Sequence, residues 1–330
     1  MPPGHLRLDS SLNHLLPEPK LKHWTVDFLG LLAFAGFLCI GVIAYHFLRW
    51  RAILLRKLTE ASVLVHTQCG MIEYADVGSG TPIVMLHGTP GGYDQVLSLV
   101  NATRFAGSQV RAIIPSRPGY LRTPIESGKT PAHQAALYAA LLNELGIERV
   151  FVLGVSGGGP SALQFAILFP ERCLGLILEE AVTQKIVAPT VRLPAILVDF
   201  LIFAFRGRVE RSLKQKGIVD HTQITLTLEA GDAVAAYSKR RIGMNNDLEN
   251  FAEMDEPLFG EISSPTLIVH GTKDTEVPIA HADLAHARIA NSQLELIEGA
   301  DHAMPGSHYI QVNSLIKEFL SQNARPALLN

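Results

Sequence analysis

Apolar residues fall along this chain in three different patterns. The first is a single long run. Phe28 to Tyr45 contains no charged residue, and the apolar character continues through Phe47 and Leu48. Such a run is long enough to cross a hydrocarbon core of roughly 30 Å as one helix. Trp24 and Trp50 bracket it, with Tyr45 near its far end, as an aromatic belt requires. A cleaved leader would have a shorter core and a small-residue cleavage site after it, and a helix buried in a soluble core would show a polar face. The expectation is a transmembrane helix over residues 27–49, a tail over 1–26 and a helical connector over 50–61.

The second pattern is a series of short strand-like runs, Pro82–Leu86, Val110–Ile114, Val150–Leu153, Leu174–Leu178, Pro265–His270 and Gln293–Ile297, of which Pro82–Leu86 is apolar on both faces. Helical periodicity separates them at Tyr93–Arg104, Ala132–Leu145 and Pro160–Phe169, and a last amphipathic helix fits Tyr309–Phe319. Runs apolar on both faces suit strands covered on both sides, and their alternation with helices predicts an α/β fold with a mostly parallel sheet. Ser62–His66 and Met71–Val77 read as two further strands joined at Gln68-Cys69-Gly70.

In the third pattern the alternation stops. Thr183 to Ile262 holds no buried-strand run, but an apolar, Phe-rich stretch (Val191–Phe205) followed by a basic one (Arg206–Lys216). The expected division is therefore a core over 62–182, an inserted helical segment over 183–262, and the rest of the core over 263–330.

Composition changes this picture little. With 48% apolar and 18% charged residues among 330, the chain is more apolar than an ordinary soluble domain, which fits the long run. A formal charge of −3 and the lack of any basic run with interleaved aromatics argue against nucleic acid as a partner. Cys39, Cys69 and Cys173 are far apart and odd in number, the pattern of free thiols rather than of a disulfide framework or zinc site. The i, i+5 spacing of His281 and His286 separates them on a helix, so surface histidines are expected and no metal.

The chemistry starts at Val150–Pro160, where a β-branched run ends in Gly154-Val155-Ser156-Gly157-Gly158. A Gly-x-Ser-x-Gly between a buried strand and a helix is a nucleophile elbow, with glycines where a Cβ would collide in the tight crossing. The same glycines do not make a phosphate loop, because no Lys-Ser/Thr follows. A serine hydroxyl needs an imidazole to take its proton, and the imidazole needs a carboxylate on its other nitrogen. Asp274 follows the strand ending at His270, and His302 follows the strand ending at Ile297. His302 is preferred to His281, His286 and His308 because it alone follows a short strand and a glycine turn. Glu179 and Glu180 compete with Asp274 for the acid, and the alternative role for Asp274 is a helix N-cap.

Five motifs in order carry a resemblance: His87-Gly-Thr-Pro-Gly91, Arg117-Pro-Gly-Tyr120, Gly154-Val-Ser-Gly-Gly158, His270-Gly-Thr-Lys-Asp274 with Val277-Pro278, and Gly299-Ala-Asp-His302. From about Ser62 to Phe319 the chain resembles the α/β-hydrolase superfamily, in its group of serine hydrolases with a helical cap. The resemblance implies the triad Ser156, Asp274 and His302, no cofactor, and an oxyanion hole from the backbone N–H groups of Thr89 and Gly157. It gives His87 a supporting role in the loop, and makes residues 183–262 the cap over the pocket. Serine at the nucleophile position disfavours epoxide hydrolase and haloalkane dehalogenase chemistry, which use Asp there. An aminopeptidase-type member, a cofactor-free haloperoxidase and a non-enzymatic ligand-binding relative are the alternatives. The expected activity is hydrolysis of hydrophobic carboxylic esters, with a lipophilic small molecule as substrate and the lipid bilayer as partner. Arg49, Arg51, Arg56 and Lys57 after the span, against Lys20 and Lys22 before it, favour a cytoplasmic catalytic domain.

Overall fold

The computed structural model describes residues 21–101, 105, 109–215 and 234–324. Residues 1–20 of the tail expected over 1–26, the end of the helix expected at 102–104, and 216–233 of the inserted segment lie outside them, whereas residues 21–26 belong to the first helix. Two compact units divide between Trp50 and Arg51. In the first, helix α1 (Leu21–Glu60) begins, and its apolar side chains from Phe28 to Leu48 are largely exposed: Phe34 is 68% and Phe37 75% accessible. Between Phe28 and Glu60 the helix holds an 18-residue stretch of mean hydropathy 2.3, none of it buried, so it is long and apolar enough to cross a membrane. Residues 50–60 continue α1 without a break.

The second unit is built on one sheet of eight strands: β1 (Val63–Thr67), β2 (Gly70–Gly78), β3 (Thr81–Leu86), β4 (Val110–Pro115), β5 (Val150–Val155), β6 (Cys173–Glu179), β7 (Thr266–Gly271) and β8 (Ser292–Ile297). Their spatial order is β1-β2-β4-β3-β5-β6-β7-β8. Only β2 runs against its neighbours; β3 to β8 are parallel. The fold class is thus the expected one.

Alternation along the strands sorts side chains between two apolar layers. Val84, Leu86, Val150 and Val152 face one layer, under α3 (Pro131–Glu144) and α4 (Gly159–Leu168). Ile83, Met85, Phe151 and Leu153 face the other, under α2 (Tyr93–Leu99) and the last long helix (Tyr309–Asn323). Both faces of each central strand are covered, which is why these strands read as continuous apolar runs. The β6–β7 connection carries α5 (Ala195–Gln215) and α6 (Arg241–Glu253), and α7 (Ala280–Arg288) lies between β7 and β8.

One topological feature positions the site. From β3 the chain crosses to β4 on one side and later returns to β5 on the other, so the strand order reverses between β3 and β5. Such a switch point leaves a crevice at the carboxyl ends of the two strands. Leu86 pairs with Gly154 there, so the loop after β3 and the turn after β5 open side by side.

Candidate active site

Ser156 sits at the top of β5 with φ 48°, a left-handed backbone that non-glycine residues rarely adopt. The turn can be this sharp because its flanks lack side chains. A Cβ on Gly154 would lie 2.8 Å from the Ala162 methyl, and one on Gly158 would lie 2.5 Å from the Leu86 carbonyl oxygen. The strain holds the Ser156 hydroxyl out of the sheet and ahead of α4.

The loops after β7 and β8 reach this hydroxyl. Ser156 Oγ–H donates to His302 Nε2 at 2.9 Å, and His302 Nδ1–H donates to Asp274 Oδ2 at 2.7 Å. Asp274 is buried, and its other oxygen accepts the N–H groups of Glu276 and Val277, both at 2.9 Å. Burial alone would raise its pKa. The His302 hydrogen bond and the two backbone donors outweigh that, and the carboxyl is held below the ordinary aspartate value. The helix after this loop begins at Ala280, preceded by Ile279, so Asp274 is not its N-cap. His270 braces the loop from below, its Nε2–H donating to the Val277 carbonyl at 2.8 Å. Desolvation lowers the His270 pKa and keeps the ring neutral.

The competing residues lie elsewhere. His286 bonds Ser292 and His308 bonds Ser307. His281 was expected at the surface, but it is buried. Its Nδ1 accepts the Thr183 N–H at 3.1 Å, and burial pushes its pKa down to about 4. Spacing on one helix could not reveal that the ring faces inward, against the start of the β6–β7 connection.

Glu180, directly after β6, stands near Ser156, Asp274 and His302 but outside their hydrogen-bond chain. One ligand atom each from Glu180, Asp274 and His302 lies within 4.8 Å of the others. Glu180 is 1% exposed, its Oε1 has no hydrogen-bond partner, and its φ is 50°. Burial first, then the charges of Glu179 and Asp274, push its pKa up to about 10. At neutral pH it is a carboxylic acid.

On the opposite side of Ser156, Thr89 and Gly157 come together. A Cβ on Gly157 would overlap the Thr89 hydroxyl. Among the described residues no hydrogen bond occupies the Thr89 N–H. His87 is fully buried beneath this loop. Its Nδ1–H donates to Gly88 O at 2.8 Å and its Nε2 accepts the Arg117 N–H at 2.9 Å. Desolvation and the Arg117 charge hold its pKa well below the usual value, as an acceptor nitrogen requires.

Sequence reasoning missed Asp247, in the middle of α6. It accepts Arg117 Nη1 at 2.8 Å and Nη2 at 2.5 Å, and the hydroxyls of Tyr120 and Thr89 at 2.5 Å each. Burial opposes the Arg117 charge, but Asp247 and Tyr120 more than compensate, and the guanidinium is held firmly protonated. The motif holding Arg117 and Tyr120 was visible in the sequence. Their acceptor, more than a hundred residues away in a stretch without a motif, was not.

With this geometry in view, comparisons with known proteins are consistent. Residues 81–309 match the family described as the alpha/beta hydrolase fold. An uncharacterized hydrolase of Bacillus subtilis, YcgS, is 30% identical over 273 residues, covering 76% of this chain and 95% of that protein. A Pseudomonas putida 2-hydroxy-6-oxononadienedioate/2-hydroxy-6-oxononatrienedioate hydrolase is 28% identical over 281 residues, covering 79% and 97%. The solved structure of an alpha/beta hydrolase fold protein from Nakamurella multipartita superimposes with a TM-score of 0.69 at 29% identity, covering 78% of this chain and 98% of that one. The sheet order, the elbow at the switch point and these matches together make the chain a hydrolase belonging to the α/β-hydrolase family.

Proposed function

We propose that this protein is a membrane-anchored serine hydrolase that cleaves hydrophobic carboxylic esters through an acyl-enzyme on Ser156. The observation that carries the reading is the unbroken hydrogen-bond chain Ser156–His302–Asp274, at 2.9 and 2.7 Å, starting from a serine in a strained elbow. In the first half-reaction Ser156 Oγ attacks the ester carbonyl carbon while His302 Nε2 takes the hydroxyl proton. Asp274 keeps the proton on Nδ1 and stabilises the imidazolium. The carbonyl electrons move onto oxygen, where the Thr89 and Gly157 N–H groups receive them; a donor of this kind is worth about 10²–10³ in rate. Collapse of the tetrahedral intermediate breaks the bond to the alkoxide, which takes the proton from His302. In the second half-reaction water attacks the acyl group, His302 again acts as base, and the acid leaves from Ser156.

The described residues between 183 and 262 serve as the cap in this reading. Phe251 of α6 supports it, since its ring lies 3.1 Å from where a Gly157 Cβ would be, and so walls the oxyanion side with an apolar surface. The long exposed apolar face of α1 supports the anchor. The basic residues Arg49, Arg51, Arg56 and Lys57 after the span support a cytoplasmic catalytic domain.

The Pseudomonas putida relative favours a second reading, hydrolysis of a 2-hydroxy-6-oxo dienedioate. A doubly charged substrate needs cationic partners. Arg117, beside the oxyanion loop, is already paired with Asp247, and Arg240 with Asp94. This weighs toward an uncharged ester.

Purified full-length protein in detergent should hydrolyse p-nitrophenyl esters and be labelled by a fluorophosphonate probe. Ser156→Ala should abolish both. Undiminished labelling of Ser156→Ala would overturn the assignment, and turnover of the dienedioate without ester turnover would favour the second reading.

A further inference from the structure

We propose that Asp247 is a positioning residue for the oxyanion-binding loop, holding Thr89 by its hydroxyl so that docking of the cap completes the catalytic site. The proposal rests on the serine hydrolase reading and extends it to a residue outside the triad.

Thr89 stands at the tip of a glycine-rich loop, between Gly88 and Pro90-Gly91, where little backbone structure fixes it. Gly88 N–H donates to Gln95 Oε1 at 2.9 Å and Gly91 N–H to Gly88 O at 2.8 Å, both flanking Thr89 rather than holding it. The side chain of Thr89 supplies the missing restraint. Its hydroxyl donates to Asp247 Oδ2 and accepts from Arg117 Nη2 at 3.2 Å. With its proton given to Asp247 and a lone pair taken by Arg117, the hydroxyl is turned toward α6, leaving the backbone N–H as the group available to an oxyanion.

Asp247 is suited to this because it cannot move. Its two oxygens take four donors, two of them from one guanidinium, and its side chain and that of Arg117 are 3% and 2% exposed. A bidentate pair of this kind fixes direction as well as distance. Arg117 in turn is held by the core, its Nε–H donating to the His87 carbonyl at 2.9 Å. The chain of contacts therefore runs from β3 through Arg117 to α6 and back to the loop after β3. A second buried pair, Arg240 with Asp94 at 2.7 Å, docks the start of the same helix on the core. That pair touches no oxyanion donor, so cap docking alone does not explain why Asp247 also binds Thr89.

The test is the rate at which a fluorophosphonate labels Ser156 in full-length protein, since phosphonylation also places charge in the oxyanion hole. Thr89→Val, which keeps the shape and removes the hydroxyl, and Asp247→Asn should each slow labelling by about 10–100-fold, less than or equal to the loss of a whole oxyanion donor. The double variant should be no slower than the slower single one, and Thr89→Ser should label at close to the wild-type rate. In ester turnover the loss should fall on kcat, with KM little changed. Wild-type rates in Thr89→Val, or losses that multiply in the double variant, would overturn the proposal. Loss confined to KM would as well, because it would mean that Asp247 only shapes the pocket. Asp247→Asn leaves Arg117 buried without its charge partner and need not fold; the Thr89 variants carry the test without it. A wild-type protein that takes no label would instead sink the serine hydrolase reading, a different result from any of these.

Discussion

Glu180 and Asp274 stand at the carboxyl ends of neighbouring parallel strands, both buried, both within a few ångströms of His302. Either position offers a triad base its acid. One is an anion with three hydrogen-bond donors, and the other a neutral acid with an unpartnered oxygen. The difference lies in backbone direction rather than residue type. The loop after β7 curls so that the Glu276 and Val277 N–H groups converge on Asp274, whereas Glu180 meets one backbone donor, at Met304, and its Oε1 has none. A buried carboxyl keeps its charge only where donors replace the lost water. The charge on Asp274 then helps to hold the proton on Glu180, so the two assignments reinforce each other.

Substitutions should separate the pair sharply. Asp274→Asn preserves the shape but favours the wrong imidazole tautomer, and kcat for ester hydrolysis should fall by about 10⁴ with Ser156 still in place. A loss below tenfold would move the acid role toward Glu180.

A smaller effect should follow from loosening the loop beneath the acid. His270→Leu removes the donor to the Val277 carbonyl and should lower kcat by about tenfold, through misplacement of Asp274. It should also cost about 1–3 kcal/mol in denaturant unfolding, the penalty of an unsatisfied buried carbonyl. Unchanged kinetics with lowered stability would confine His270 to the fold.

The least kinetic change is expected at Glu180→Gln, within about twofold of wild type, because a neutral acid contributes little to charge at the triad. Its signature is in stability. In the unfolded chain Glu180 ionises near its ordinary pKa of 4.5, whereas in the folded protein it holds its proton up to about 10. The folded state therefore binds the extra proton between these values, and stability must fall as pH rises across that window. Glu180→Gln should flatten this slope, so that its Tm advantage over wild type is larger at pH 8 than at pH 5. A wild-type slope retained in the variant would show that Glu180 is charged in the folded protein.

The strand positions were legible because both faces of the central strands are buried, which writes uninterrupted apolar runs into the sequence. The elbow was legible because close packing at Gly154 and Gly158 admits no other residue. Ser156, Asp274 and His302 could be picked out because each follows a strand end, where open α/β sheets gather their ligands. His281 was misread and Asp247 unseen for a common reason: their partners, Thr183 and the Arg117–Tyr120 motif, are remote in sequence, and no local spacing records which way a helix turns its polar side chains.

By itself, then, the sequence determined the sheet, the sharp turn at Ser156, the order in which Ser156, Asp274 and His302 follow their strand ends, and a helix apolar enough for a bilayer. Each depends on local sterics or on periodic burial, and leaves a local trace. Only the tertiary structure decided which of two adjacent carboxyls carries the charge, and joined α6 to the loop after β3 through Asp247. Those outcomes depend on where backbone N–H groups and a distant guanidinium converge in space, and convergence is a property of the folded chain alone.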